Sequence, residues 1–203
     1  MLRRCLRAEA NVSESTAVTS SRHHNQYVDG AACFWTSSVI NHVPILASRT
    51  AALRLLSIWD RYRGKYGVRV LGYVVMPDHF HLVIWAERAE SVKRFLRWSL
   101  HDASVDLTAM TRDAAARGVS VAAIWLNVFE QCAGSGATAA LWKERGRGFP
   151  ITDGDALRQK LQYIHGNPVR RGLVATPEEW EFSSASWYAD GSGPLRMDSV
   201  DGW

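Results

Sequence analysis

The sequence predicts an α+β fold in which helices pack on one face of an antiparallel sheet. Segments rich in β-branched and aromatic residues alternate with segments of helical periodicity, in the order strand, helix, strand, strand, helix, strand, helix. The two central strands are separated only by Met76, Pro77 and Asp78, a connection that joins them as an antiparallel hairpin. The 203 residues suffice for one domain with a sizeable core.

The elements of the first half are marked by local signals. Residues 28–40 contain an aromatic and β-branched run and are predicted to form a strand. Residues 49–66 carry apolar side chains at helical spacing with cations between them, and Gly67 marks the end of this helix. Residues 68–76 and 79–85 form the two strands of the hairpin.

The second half contains less regular signals. Its predicted elements are a helix over 90–111, a helix over 119–131, a short strand within 141–151 and a helix over 155–167. Thr152 or Asp153 can cap the last helix. Pro168 ends it, because the residue before a proline avoids the helical region.

The composition excludes several classes of protein. Apolar residues make up 47% and charged residues 22% of the chain, as in globular domains. No uncharged apolar run approaches the roughly 18 residues of a membrane helix, and no secretory signal is visible. Cys5, Cys33 and Cys132 form no C-x-x-C pair, which argues against a disulfide framework or a thiolate zinc site. We therefore expect a cytoplasmic protein.

The charge is mildly positive and unevenly distributed. The net charge is +4, and lysine and arginine outnumber the acidic residues in 49–69 and in 143–171. Such segments fit an anionic partner, but they also fit the solvated faces of ordinary helices.

Two histidines stand two positions apart in the second hairpin strand. Side chains at this spacing project from one face of a strand, so His79 and His81 converge, while Phe80 anchors the other face. Two imidazoles can supply two ligands to a divalent metal. The same pattern also fits histidines on a polar sheet face, and spacing alone leaves both readings open.

Tyr163 and Asn167 lie four residues apart at the end of the last predicted helix, and therefore on one of its faces. An amide oxygen can serve as a metal ligand, and a tyrosine can serve as a nucleophile. The alternative is that Tyr163 only packs on the sheet and Asn167 only ends the helix.

Two long motifs carry a resemblance to a known family. Residues 72–84, GYVVMPDHFHLVI, and residues 161–174, LQYIHGNPVRRGLV, resemble the REP-associated tyrosine transposases, single-tyrosine members of the His-hydrophobe-His nuclease superfamily. The segments 34–46 and 177–188 also resemble this family, and the similarity extends over residues 27–195.

The resemblance implies a ferredoxin-like sheet with the tyrosine helix near the histidines. By position, it makes His79 and His81 metal ligands, Asn167 a third ligand and Tyr163 the nucleophile, with Mg²⁺ or Mn²⁺ as cofactor. The implied reaction is cleavage and rejoining of single-stranded DNA beside palindromic hairpins, through a 5′-phosphotyrosine. We accordingly divide the chain into a flexible arm (1–26), a catalytic domain (27–176) and a C-terminal tail (177–203).

The expected partner is single-stranded or hairpin DNA and not a membrane, and we favour a monomer over a homodimer. Arg170 and Arg171 follow the catalytic helix and are candidates to bind phosphate near the cleaved bond. Lys143, Arg145 and Arg147 are candidates to contact the DNA backbone.

Three neighbouring residues carry smaller expectations. Gly166 occupies a position where relatives often have a larger polar residue, and we expect it to loosen the last helical turn. Asp78 is expected to form the turn rather than take part in catalysis, and His165 is expected to face solvent.

Two alternatives to the transposase remain. A domesticated or inactive protein would bind hairpin DNA without cutting it. An unrelated metallohydrolase would use His79 and His81 with water as the nucleophile.

Overall fold

The computed structural model describes residues 25–134, 136–137, 139–143 and 146–199. Most of the predicted arm, Arg145 and the last four residues of the predicted tail lie outside these ranges. The strands are β1 (Ala32–Ser38), β2 (Arg69–Val75), β3 (His79–Trp85) and β4 (Arg147–Ile151). The helices are α1 (Arg49–Tyr66), α2 (Ala89–Ala116), α3 (Ser120–Gln131), α4 (Gly154–His165), α5 (Asn167–Arg170) and α6 (Ala185–Asp190).

The four strands form one antiparallel sheet in the order β2-β3-β1-β4. The α+β class and the antiparallel sheet are confirmed. The C-terminal segment lies along the outer edge of β2, where Val75 N donates to Phe182 O and Ser184 N donates to Tyr73 O. This segment occupies backbone groups that an edge strand would otherwise present to solvent.

The helices divide between the two faces of the sheet, instead of all lying on one face as the sequence predicted. Trp59 of α1 and Phe95 of α2 pack with Phe80 of β3 in the larger core. On the other face, Ile164 of α4 packs with Val83 in a second, smaller core. The physical reason is that every residue of β3 but the last is buried, so both faces of the central strands need a cover.

The ends of the helices follow from individual residues. Gly67 ends α1 in the left-handed conformation, with φ of 63°. The Asp153 side chain caps α4 by accepting from Ala156 N at 2.8 Å. The prediction that this helix reaches residue 167 is wrong, since α4 ends at His165 and Pro168 stands in the first turn of α5. Proline lacks the N–H that would continue the α4 ladder, whereas its fixed φ suits the start of a new helix.

The region that gave weak sequence signals is helical. Helix α2 runs on to Ala116, beyond the predicted end at 111, and α3 follows after a short turn. Within the described ranges, no helix is both long enough and apolar enough to cross a membrane.

Candidate active site

Two histidines of β3 lie side by side on the sheet face that α4 covers. His79 and His81 are buried, with 9% and 7% of their surface exposed, and their ring centroids are 5.1 Å apart. Phe80 between them packs into the core on the opposite face. The structure thus brings the two predicted metal ligands together.

Asp78 holds the first of these rings. Its Oδ1 lies 2.7 Å from His79 Nδ1, and its Oδ2 lies 2.7 Å from His42 Nδ1. Burial raises the pKa of Asp78, but the hydrogen bonds from His79 and His42 outweigh it and hold the pKa below its usual value. A carboxylate that accepts from Nδ1–H leaves the His79 Nε2 lone pair available for a metal. Asp78 thus lies in the turn between β2 and β3 as expected, and its carboxylate in addition binds two imidazoles.

The His42 side of this arrangement is built on a strained turn. Asn41 and His42 have φ values of 49° and 54°, in the left-handed region that L side chains rarely adopt. Such a conformation costs roughly 1–2 kcal/mol per residue. The bond between His42 and Asp78 joins this turn to the histidine pair.

Tyr163 reaches the histidines from α4. Its ring centroid lies 5.6 Å from that of His81 and 6.3 Å from that of Phe34. The residue is 44% exposed, which leaves it accessible to a macromolecular substrate. Helix α4 can approach the sheet closely because β2 contributes Gly72, where a Cβ would stand 2.3 Å from Leu161 Cδ2.

Asn167 is tied to the same helix across the break. Asn167 is 8% exposed, and its Nδ2 donates a hydrogen bond to Tyr163 O at 3.2 Å. Its Oδ1 is therefore the atom that would be available to bind a metal. Gly166 does not require its glycine for backbone conformation, since it has φ −74° and ψ −6°. A Cβ there would stand 2.7 Å from Arg170 Nη1. The glycine thus makes room for Arg170, a role that the expectation of a loosened turn missed.

The donor set fits a divalent ion held by neutral ligands. Burial first, and then repulsion from His79 and nearby basic side chains, lowers the pKa of His81 to about 3, so the ring is neutral at neutral pH. Its Nδ1 is buried and has no hydrogen-bond partner among the described residues. Neutral imidazole is the form that binds metals. The described residues contain no group of three His, Cys, Asp or Glu that could hold an ion, and the assignment of Asn167 as a third ligand stays a prediction.

Cations surround Tyr163. The Arg170 guanidinium lies 4.7 Å from the Tyr163 ring centroid and donates to Tyr163 O at 2.6 Å. Lys160 Nζ lies 5.1 Å from the Phe34 ring centroid and 5.8 Å from that of Tyr163. Arg171 follows Arg170, is exposed, and adds to the repulsion that lowers the His81 pKa.

Two further basic residues lie at the β4 edge. Arg147 is paired with Thr36, and Thr36 is paired with His81, so all three project from one sheet face. Lys143 is exposed, and its backbone N donates to Ser38 O. Arg145 lies outside the described residues, and its assignment stays a prediction.

The two basic segments differ in how their charges are used. In the first, Arg49, Arg54 and Arg61 form ion pairs with Glu181, Asp106 and Asp102. Arg63 is similarly paired. By contrast, within the described part of the chain no carboxylate lies within ion-pair distance of the cations that border Tyr163. These cations therefore lie beside Tyr163 without a competing carboxylate among the described residues and remain available to an anionic ligand.

His165 is not solvent-facing as expected. Its Nε2 lies 2.8 Å from Ser184 Oγ, its ring lies against Tyr188, and burial lowers its pKa to about 4. Lys160 was not among the predicted site residues. Its position three residues before Tyr163 on the same helix could have predicted that it lies beside Tyr163.

The fold of this chain is similar to that of a solved tyrosine transposase. No protein-family model and no curated protein matches the sequence. The solved structure of a REP-associated tyrosine transposase bound to a REP hairpin matches with a TM-score of 0.55 and 18% identity, over 90% of this chain and 94% of that chain. A candidate transposase from Deinococcus radiodurans R1 aligns with a TM-score of 0.39 and 17% identity, over 70% of this chain and 95% of that chain. The first comparison confirms the fold that the motif resemblance implied.

Proposed function

We propose that this protein is a divalent-metal-dependent transposase that cleaves and rejoins single-stranded DNA beside palindromic hairpins. The observation that carries the proposal is the 5.6 Å separation between the ring centroids of Tyr163 and His81. An exposed phenol, a buried imidazole pair and unpaired cations on one face are the groups that phosphoryl transfer to a tyrosine requires.

His79, His81 and Asn167 are the residues that would hold Mg²⁺ or Mn²⁺. Such an ion, when bound, polarises a non-bridging phosphate oxygen. Asp78 keeps the His79 ring in the tautomer whose Nε2 can act as a ligand.

Tyr163 supplies the nucleophile. Its hydroxyl oxygen forms a bond to phosphorus and gives up its proton, while the bond from phosphorus to the 3′-oxygen breaks and that oxygen leaves as a 3′-hydroxyl. The 5′ end of the downstream strand then stays linked to Tyr163. Because the new ester conserves the energy of the phosphodiester, attack by a 3′-hydroxyl reseals the strand without ATP.

The basic side chains around Tyr163 hold the phosphate during this exchange. Arg170 and Lys160 both contact the Tyr163 ring and carry no competing carboxylate among the described residues. Arginine can bind a phosphate through two parallel hydrogen bonds. Arg171 and Arg147 extend the positive surface on which the strand would lie.

A covalent adduct is the direct test. The purified chain is incubated with Mn²⁺ and an oligonucleotide in which a palindromic hairpin is flanked by randomised single strands, labelled at either the 3′ or the 5′ end. The 3′ label is expected to shift onto the protein, and the 5′ label is expected to appear on a released fragment with a 3′-hydroxyl. Tyr163→Phe should abolish both products. Tyr188→Phe is the control for loss of a tyrosine hydroxyl, because Tyr188 has the same 44% exposure but its hydroxyl donates to Leu71 O.

Two results would replace the proposal. Cleavage that persists in Tyr163→Phe would indicate a metallohydrolase with a water nucleophile. Hairpin binding by the wild type without cleavage under any divalent metal would indicate an inactive or domesticated DNA-binding protein.

A further inference from the structure

A second cleft lies on the other side of β1 from the histidines. Its volume is about 610 Å³, within the range of small-molecule and nucleotide sites. Three aromatic residues, Tyr27, Trp35 and Trp142, line it together with two cations of α2, Lys93 and Arg97. Aromatic rings bordered by cations match the chemistry of an unpaired nucleotide, which offers a base to stack and a phosphate to bind.

The walls of this cleft are fixed in place. Asn25 donates from Nδ2 to Gly146 O at 2.9 Å and accepts at Oδ1 from Gly148 N at 2.8 Å, which fastens the segment before β1 to β4. On the opposite wall, Trp142 Nε1 donates to Leu100 O of α2 at 2.9 Å. A ligand would therefore meet a largely preformed surface, which lowers the entropic cost of binding.

Two buried polar groups of the cleft lack protein partners. Ser37 Oγ and Trp35 Nε1 have no hydrogen-bond partner among the described residues, although these residues are only 3% and 4% exposed. An unsatisfied buried polar atom is destabilising, and a ligand that bonds to it removes that cost. These atoms are the hydrogen-bonding groups that a base or sugar could use.

The cleft is continuous with the edge of the candidate active site. A smaller depression of about 380 Å³ shares Ser37 and Gly146 with it, and is also lined by Thr36, Lys143 and Arg147. Thr36 is the residue paired with His81. A strand that leaves Tyr163 can therefore pass the basic β4 edge and enter the cleft.

We propose that this cleft binds an unpaired nucleotide of the single-stranded DNA, with its base against Tyr27 and its phosphate at Lys93 and Arg97. The proposal rests on the proposed function for its choice of ligand. It adds a binding site on the face of the sheet away from the catalytic groups.

Binding measurements test the site without requiring cleavage. A fluorescein-labelled single-stranded oligonucleotide is titrated with the full chain in the Tyr163→Phe background, and anisotropy is recorded at several salt concentrations. Tyr27→Ala is expected to raise Kd about tenfold, because it removes a stacking surface. Lys93→Ala and Arg97→Ala should each reduce the slope of log K against log salt by about 0.7.

Arg94→Ala is the matched control, since Arg94 lies on the same helix, is exposed, and shares its ion-pair partner Glu90 with Lys93, whereas only Lys93 lines the cleft. It should leave Kd and the salt slope unchanged. Equal effects of Arg94→Ala and Lys93→Ala would mean that the oligonucleotide is attracted to the positive charge of α2 in general. That result would overturn the proposal.

Ser37→Ala gives a second, independent measurement. Removal of an unpartnered buried hydroxyl should leave the stability of the free protein unchanged or higher, while the affinity for the oligonucleotide falls. A drop in stability with unchanged affinity would show that Ser37 is structural and has no ligand.

Crosslinking locates the nucleotide directly. An oligonucleotide that contains 5-iodouracil should crosslink to peptides with Tyr27 or Trp142, and crosslinks confined to β3 and α4 would refute the site.

Deoxyadenosine monophosphate is titrated in parallel, and binding tighter than that of the oligonucleotide would identify a free nucleotide as the occupant and overturn the assignment to DNA. If an adduct forms at Tyr163 but the substitutions in the cleft do not change DNA binding, only the proposed nucleotide site is refuted. If those substitutions weaken DNA binding but no adduct forms, only the proposed transposase activity is refuted.

Discussion

Gly72→Ala should force the Leu161 side chain to move and disturb the packing of the tyrosine helix on the sheet. A Cβ at this position would stand 2.3 Å from Leu161 Cδ2, more than 1 Å inside the 3.5–4.0 Å optimum of carbon contacts. The same Cβ would also stand 3.3 Å from Ile164 Cδ1 and 3.4 Å from Ser184 Oγ, so the surrounding side chains leave it little space. Overpacking of this kind costs about 1–3 kcal/mol.

The cost is partly offset by the lower entropy of the unfolded chain when alanine replaces glycine, about 0.4–1 kcal/mol. We therefore expect a net loss of about 1–2 kcal/mol in the free energy of unfolding. The yield of the Tyr163 adduct should fall further than stability alone requires, since α4 carries the proposed nucleophile.

Urea unfolding followed by tryptophan fluorescence measures the change. Gly64→Ala is the control, because its Cβ would meet nothing within 4 Å and its site is the last turn of α1, where alanine should stabilise by up to about 0.5–1 kcal/mol. Leu161→Ala in the Gly72→Ala background should recover at least half of the loss through coupling between the two sites. Strictly additive effects, or a stabilising Gly72→Ala, would refute the close-packing argument.

Three further predictions concern the site. Asp78→Asn should weaken Mn²⁺ binding by about 10- to 100-fold in calorimetry, because the His79 tautomer is no longer fixed, and unchanged affinity would contradict the assigned orientation. His81 and His165 have pKa values lowered to about 3 and about 4, so the folded state binds fewer protons than the unfolded state below pH 6.5. Stability in the absence of metal should therefore decrease as pH falls from 6.5 to 5, by on the order of 2 kcal/mol per histidine, and His165→Gln should reduce this slope in urea titrations. Arg170→Ala should slow adduct formation about tenfold or more with little change in unfolding midpoint, while Arg170→Lys restores only part of the rate because lysine lacks the planar fork.

The sequence predicts those parts of the fold that depend on residues close together in the chain. Gly67 and the apolar spacing of 49–66 define α1, and the short connection before His79 defines the hairpin. The face that α4 covers depends on Gly72, whose importance appears only when two distant segments pack together. The break at Pro168 was misplaced because proline can begin a helical turn as readily as it ends one.

The candidate site divides in the same way. Strand alternation identifies His79 and His81 as neighbours, and helical spacing keeps Tyr163 and Asn167 one turn apart. The partners of these residues come from distant elements. Phe34 from β1 reaches Tyr163, and the His42 ring reaches Asp78, through contacts that no local pattern encodes.

The absence of a side chain at Gly166 makes the residue allowed at position 166 depend on the residue at position 170. Any larger residue there must shift the Arg170 guanidinium, whose Nη1 would stand 2.7 Å from the new Cβ and whose Nη2 donates to Tyr163 O. Among homologous chains, a bulkier residue at 166 should accompany a shorter or uncharged residue at 170, with the phosphate-binding cation supplied from elsewhere. The two positions should therefore be exchanged as a pair when the specificity of such a protein is redesigned.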